Sequence, residues 1–156
     1  MIMDCVLDLN AVRKYSAHLM QFIQDEESPN KTSCFDSLFP CAMSLEDYMI
    51  RVSSYMDITH GCFVVAVYYL DSVCKTMDMM VTKKNMHRLF LTSIMISRKI
   101  LEDDVYKNGD VAAVGGVSLQ EMNTLEMKML KALDYKLQVS DVSLHQYCCL
   151  MGIPLA

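Results

Sequence analysis

Two stretches of this chain are apolar around the whole circumference of a helix. At about 100° per residue, Phe63, Val64, Val65, Val67, Tyr68 and Leu70 point in every direction, as do Leu89, Phe90, Leu91, Ile94, Met95 and Ile96. A helix of this kind has no face that water can wet, so either other helices enclose it or it crosses a membrane. The apolar runs from Cys62 to Leu70 and from Leu89 to Ile96 are far shorter than the roughly 20 residues that a bilayer requires. Both helices are therefore expected at the centre of a helical domain, with further helices around them. Five Gly and three Pro provide little material for a loop-rich or all-β fold. No strand-like alternation of useful length is present, and the expected class is all-α.

The flanking segments supply the surrounding helices. Asp8 can cap a first helix running to about Asp25, with Leu9, Val12, Leu19, Phe22 and Ile23 on one side. Ser28, Pro29, Asn30, Ser33 and Pro40 mark a linker that Phe35, Leu38 and Phe39 are expected to pin to the domain. Ser44 with Asp47 opens a helix to about Met56, whose stripe is Leu45, Tyr48, Met49, Val52, Tyr55 and Met56. The enclosed helices follow, from about Thr59 to Met77 and from about Asn85 to Glu102. A short segment around Val111 to Val114 stops at Gly115-Gly116, and Ser118 with Glu121 forms a capping box that opens a helix to about Leu133. A last short helix runs from Asp141 to Met151. The expected organisation is an N-terminal helix in 1–26, a packed linker in 27–43, a five-helix unit in 44–137, and a C-terminal helix and tail in 138–156.

Composition excludes several function classes. With 14 Lys and Arg against 19 Asp and Glu, the formal charge is −5. That disfavours nucleic-acid binding, which needs clustered cations to displace counterions from phosphates; Lys83, Lys84, His87 and Arg88 form the one local basic cluster. The N-terminus, with Asp4 and Asp8, lacks the pattern of a signal peptide, no membrane partner is expected, and no basic targeting run separates nucleus from cytoplasm. The seven cysteines cannot all pair within the chain. Cys62 and Cys74 lie in an apolar helical run, where thiols pack as small hydrophobes, so a reducing intracellular setting is expected. His145 with Cys148 and His60 near Cys62 provide two candidate ligands at each place, too few for a closed zinc site. No metal, no cofactor and no catalytic residue is expected.

Charges among apolar residues are more informative. With Leu119 at 0°, Met122, Leu125, Met129, Leu130 and Leu133 form a stripe, and Glu126 falls inside it at about 340°. An unpaired buried carboxylate is too costly, so Glu126 must be ion-paired, reach solvent at an edge, or face a partner protein. Asp71, near Val64 and Val67 on its wheel, needs a cation, and the planar fork of Arg51 could reach it as a structural ion pair between two helices. Lys99 ends the second enclosed helix, where the helix dipole favours a cation.

Read together, these segments resemble a cyclin box. Tyr48-Met49-Ile50-Arg51-Val52 occupies the place of the family's first-helix arginine motif, and Tyr68-Tyr69-Leu70-Asp71 that of its Tyr-Ile/Leu-Asp motif. Ser97-Arg98-Lys99-Ile100-Leu101-Glu102-Asp103 matches its Ala-x-Lys-φ-x-Glu/Asp segment. Leu125-Glu126 through Tyr135-Lys136-Leu137 matches the family's Leu/Met-Glu-x-x-φ-Leu-x-x-Leu-x-Phe/Tyr-x-Leu pattern. More narrowly, Asp103-Asp104-x-Tyr106 followed by Val114-Gly115-Gly116-Val117-Ser118 resembles the single-box P- and U-type cyclins related to the yeast phosphate-signalling cyclin. The resemblance covers roughly Phe35 to His145.

The resemblance implies a five-helix cyclin box with an additional N-terminal helix and a short C-terminal helix. It implies a regulatory subunit, not an enzyme, that binds and activates the catalytic subunit of a cyclin-dependent kinase in the cell cycle or in phosphate signalling. Kinase substrates or inhibitors are further candidate partners. Lys99 and Glu126 would face the kinase, with Ile100, Glu102, Leu130, Tyr135 and Leu137 around them. Mitotic-type cyclins carry a substrate-docking Leu and Trp three and six residues after the first-helix Arg; Ser54 and Asp57 stand there, which argues against that docking mode. Lys99 follows Ser97-Arg98 instead of two small residues, which changes the surroundings of the kinase contact. The competing readings are a cyclin-fold adaptor or transcription-factor-type module with a non-kinase partner, a small enzyme or thiol protein using Cys148-Cys149 or Asp103 with Asp104, and a methionine-rich scaffold.

Overall fold

The computed structural model describes residues 2–24, 33–38, 40–104 and 106–154. Ser28, Pro29, Asn30 and Phe39 of the expected linker lie outside the described residues. Among the described residues there are seven α-helices: α1 Leu9–Met20, α2 Leu45–Tyr55, α3 His60–Thr76, α4 Met86–Leu101, α5 Asn108–Gly115, α6 Leu119–Ala132 and α7 Asp141–Met151. A single 3-10 turn at Ile2–Asp4 precedes them.

Side-chain caps set most of the starts. Asp8, Ser44, Thr59, Ser118 and Ser140 each sit in extended backbone and accept an N–H three residues on, from Ala11, Asp47, Cys62, Glu121 and Ser143. Each bond satisfies a main-chain donor that the first turn leaves without a helical acceptor. At Ser118 only this arm of the capping box forms with the helix, because the Glu121 carboxylate is bound instead by Arg88, with Nε and Oε1 2.6 Å apart.

The two all-round apolar helices form the centre. α3 and α4 pack on each other; α4 also contacts α2, α5 and α6, and α3 contacts α6 and α7. Every residue of α4 from Leu89 to Arg98 is buried. α1 lies against α2 and touches α7, where the Lys14 ammonium donates to the Gly152 carbonyl at 2.9 Å. Main-chain bonds from Leu7 to the Ile58 carbonyl and from His60 to the Cys5 carbonyl tie the N-terminal segment to the α2–α3 loop.

Several expectations require correction. α1 ends at Met20 and not near Asp25, because the chain leaves the helix to give the Gln24 N–H to the Val81 carbonyl at 2.8 Å. Phe22, beyond the helix, is exposed, as is Leu9 at its first position, and α1 buries Val12, Tyr15, Ser16 and Leu19. The linker is pinned by Phe35, which is completely buried, and by Ser37, whose N–H and hydroxyl both donate to the Lys84 carbonyl; Leu38 is 88% exposed. Tyr55 is exposed because α2 stops there and the chain turns to bury Met56 and Ile58.

α5 is longer than expected, beginning at Asn108, and the two glycines at its end do different work. Gly116 takes the left-handed conformation, φ 71°, that stops the helix. Gly115 permits close approach: a Cβ there would lie 2.2 Å from Leu91 Cδ2. Tyr48 seals the contact, its buried hydroxyl donating to the Gly115 carbonyl at 2.9 Å.

Candidate functional site

The end of α4, the start of α5 and the middle of α6 bring together side chains that stand far apart in the sequence. Lys99, in the last turn of α4, places its ammonium 2.6 Å from Glu126 Oε2 on α6 and 2.6 Å from Asn108 Oδ1 at the start of α5. An ammonium can only donate, so the Asn108 amide turns its oxygen toward Lys99 and its nitrogen away. That nitrogen donates to Asn123 Oδ1 at 2.8 Å and lies 3.5 Å from Glu126 Oε2. The Lys99 and Glu126 side chains are 29% and 20% exposed. Glu126 is therefore a paired carboxylate at a helix edge, still reachable by a partner, and not an uncompensated buried charge.

Apolar side chains extend from this pair. Ile100, 50% exposed, and Leu101 end α4. On α6, Leu119, Asn123, Thr124 and Met127 line a shallow surface groove with Gln120 and Lys128. Leu130 is half-buried against the core. After α6 the backbone passes through two successive left-handed residues, Asp134 and Tyr135, with φ 53° and 55°. The Tyr135 N–H closes on the Leu130 carbonyl at 2.9 Å, and the ring, 58% exposed, reaches back to put its hydroxyl 3.8 Å from Met127 Sδ. A left-handed tyrosine is strained, and here the backbone turn that carries this strain directs the ring back toward Met127 of α6. Leu137 is held by its carbonyl, which accepts from the buried Tyr69 hydroxyl. Burial raises the Tyr69 pKa to about 12, so it stays a donor.

The remaining candidates fall elsewhere. Glu102 faces inward, accepting the Cys62 thiol at 3.3 Å, and burial keeps that thiol above its ordinary pKa. The expected Arg51–Asp71 pair is absent. Asp71 is bound by Lys75 Nζ at 2.9 Å, one turn along α3, and by the Tyr147 hydroxyl from α7, while Arg51 is exposed on α2. A partner on the same helix needs no second element to deliver it, and α2, which carries Arg51, does not pack on α3, whereas α7 does. In the basic cluster, Arg88 is neutralised by Glu121, and half-buried His87 bonds through Nε2 to the Met43 carbonyl. Among the described residues, no three His, Cys, Asp or Glu side chains gather as a metal site would require, and no helix is long and apolar enough to cross a membrane.

Sequence reasoning missed Asn108, Asn123 and Arg98. Arg98, 6% exposed, donates through Nη1 to the Asp57 carbonyl and through Nη2 to the Asp104 carbonyl at 3.4 Å. Its guanidinium carbon lies 4.8 Å from the Tyr106 ring centroid. A charged residue beside Lys99 in an otherwise apolar helix was the available signal.

Comparison with known proteins matches the chain to a family. The Cyclin family model matches residues 2–137, more than half of the chain and including α1. Cyclin-U3-1 of Arabidopsis thaliana is 36% identical over 122 residues, covering 78% of this chain and 55% of that protein. Cyclin-U4-3 of Arabidopsis thaliana is 34% identical over 127 residues, covering 81% and 58%. Cyclin-P4-1 of Oryza sativa subsp. japonica is 31% identical over 151 residues, covering 96% and 70%. The chain thus spans about half the length of the two Arabidopsis relatives. Given two enclosed helices within a seven-helix fold, a family match over residues 2–137 and relatives named U- and P-type, the chain belongs to the cyclin family, as a member of its P/U type.

Proposed function

We propose that the chain binds the catalytic subunit of a cyclin-dependent kinase through the face centred on Lys99 and Glu126, and activates it. The observation that carries this reading is the 2.6 Å Lys99–Glu126 pair, partly open to solvent, with exposed Ile100 and Leu101 at the end of α4 and exposed Met127 and Tyr135 on and after α6. Apolar anchors around a few oriented charged groups have the character of a specific protein interface. Lys99 can give an N–H, and Glu126 can receive one, from main-chain groups of a docked helix or loop, while Leu130, Tyr135 and Leu137 supply apolar contact.

The mechanism is conformational. A surface complementary to one arrangement of the kinase lowers that arrangement's free energy relative to the others, and the population shifts by the difference in affinity. The favoured arrangement is the one in which the kinase's own Lys–Glu pair and magnesium-binding Asp are aligned for phosphoryl transfer. This chain supplies none of the transferring groups; its role is that of a regulatory subunit acting inside the cell.

The test is a paired pull-down with the wild-type chain and a Lys99→Glu/Glu126→Lys double variant, read by mass spectrometry and phosphotransfer activity. The swap keeps opposite charges opposed, so circular dichroism should show an unchanged helical fold. Recovery of an active cyclin-dependent kinase by wild type alone is the expected result. Equal recovery by the folded variant, or no kinase with either chain, would refute the proposal.

A further inference from the structure

Arg98 is the buried charge that the kinase-binding reading leaves unused. Desolvating a guanidinium is costly, and here both hydrogen-bond acceptors are main-chain carbonyls from different loops, Asp57 between α2 and α3 and Asp104 between α4 and α5. Its Nε is buried with no partner, so this side chain is held for its geometry at some cost in hydrogen bonding. Tyr106, one residue before Lys107, the N-cap of α5, stacks over the guanidinium. Asn108 follows, and its amide orients both Lys99 and Glu126. A set of contacts thus runs from Asp57 through Arg98 to Tyr106, and the backbone joins Tyr106 through Lys107 to Asn108; Lys99 is the direct covalent neighbour of Arg98.

We propose that Arg98 is a positioning residue for the partner-binding face: it clasps the α4–α5 loop to the α2–α3 loop so that Asn108 holds Lys99 and Glu126 in place. The proposal rests on the reading of Lys99 and Glu126 as kinase contacts. Arg98 itself lies too deep to touch a partner, so its effect reaches the face indirectly, through the α4–α5 loop and Asn108.

Two measurements test it, one of which needs no partner. In the first, hydrogen exchange is followed in the free chain for wild type and Arg98→Met, with Arg98→Lys as a milder variant that keeps the charge and gives up the two-pronged geometry. The amides of Asp110 and Val111, which bond to the Lys107 carbonyl, should exchange about tenfold faster in the variants while amides of α3 keep their protection. Unchanged exchange at α5, or an equal loss of protection throughout the molecule, overturns the proposal. In the second, affinity is measured for the cyclin-dependent kinase catalytic subunit that wild type retains. Arg98→Met should bind roughly tenfold more weakly, as should Asn108→Ala, and the double variant should bind no more weakly than either, because both act through one contact. Additive losses would overturn the proposal, as would full affinity in Arg98→Met alongside weakened Asn108→Ala. Should the Lys99→Glu/Glu126→Lys chain bind as wild type does, the kinase reading itself fails and this proposal fails with it, whatever the exchange data show.

Discussion

Replacing Gly115 by alanine puts a methyl group into the contact between α5 and Leu91 of α4. The added Cβ would lie 2.2 Å from Leu91 Cδ2, 2.9 Å from Cδ1 and 3.1 Å from Cγ. Carbon atoms pack at about 3.5 Å or more, so the nearest contact must open by roughly 3.5 − 2.2 = 1.3 Å. Rotating the end of Leu91 cannot provide this, because Leu91 is completely buried and its Cγ is also too near. α5 must therefore lift from α4, which strains the bond from the Tyr48 hydroxyl to the Gly115 carbonyl. Overpacking costs about 1–3 kcal/mol and a weakened buried hydrogen bond about 1 kcal/mol, against a helix-propensity gain of about 1 kcal/mol for Gly→Ala. The net expectation is a loss of about 2 kcal/mol, or a melting temperature lower by about 4–8 °C. Urea titration monitored by circular dichroism measures it. The decisive comparison is the Gly115→Ala/Leu91→Ala double variant, in which the cavity left by leucine receives the methyl. Its destabilisation should fall short of the sum of the single variants by at least about 1 kcal/mol. Strict additivity would refute the argument. Gly116→Ala provides the contrast: with nothing within 4 Å and φ +71°, it should cost about 1 kcal/mol through backbone strain alone and show no coupling to Leu91.

Other expectations follow from single features. Phe35→Ala should cost about 3–5 kcal/mol, since this linker ring is completely buried; a change below about 1 kcal/mol in urea titration would mean that the linker is not part of the folded unit. Burial holds His87 below its ordinary pKa, and its Nδ1 is buried with no partner beside Arg88. The unfolded chain therefore takes up a proton at this residue more readily than the folded one. Stability should fall as pH drops below about 6.5, with His60 contributing in the same direction. A His87→Asn variant whose urea midpoint has the same pH slope as wild type would count against this. Tyr135→Asn places a residue that tolerates left-handed backbone at φ 55°. It should leave stability unchanged or raise it by about 0.5 kcal/mol, while weakening kinase binding roughly tenfold through loss of an exposed aromatic anchor. Unaltered affinity would remove Tyr135 from the interface.

Much of the fold was legible because it is written in short-range pattern. α3 and α4 announce themselves by apolar residues on every side, and Asp8, Ser44 and Ser118 cap helices where their local chemistry demands. The Lys75 partner of Asp71 is a short-range feature too, one turn along the same helix. The Tyr147 contact is not, because it depends on α7 docking against α3. The wheel put Glu126 inside an apolar stripe and left three outcomes open. Choosing among them required Lys99 to arrive from α4 and Asn108 from α5.

By itself, the sequence determined the helical class, the two enclosed helices, most of the caps and the family motifs, since each depends on residues within a turn or two of one another. Only the tertiary structure decided that Lys99, Asn108, Asn123 and Glu126 share one network, that Arg98 clasps two loops, and that Gly115 is where α5 closes on α4. These rest on distances between side chains carried by different helices. Helix periodicity sets the direction of each side chain around its own axis, but the relative placement of the axes comes from packing the whole core at once.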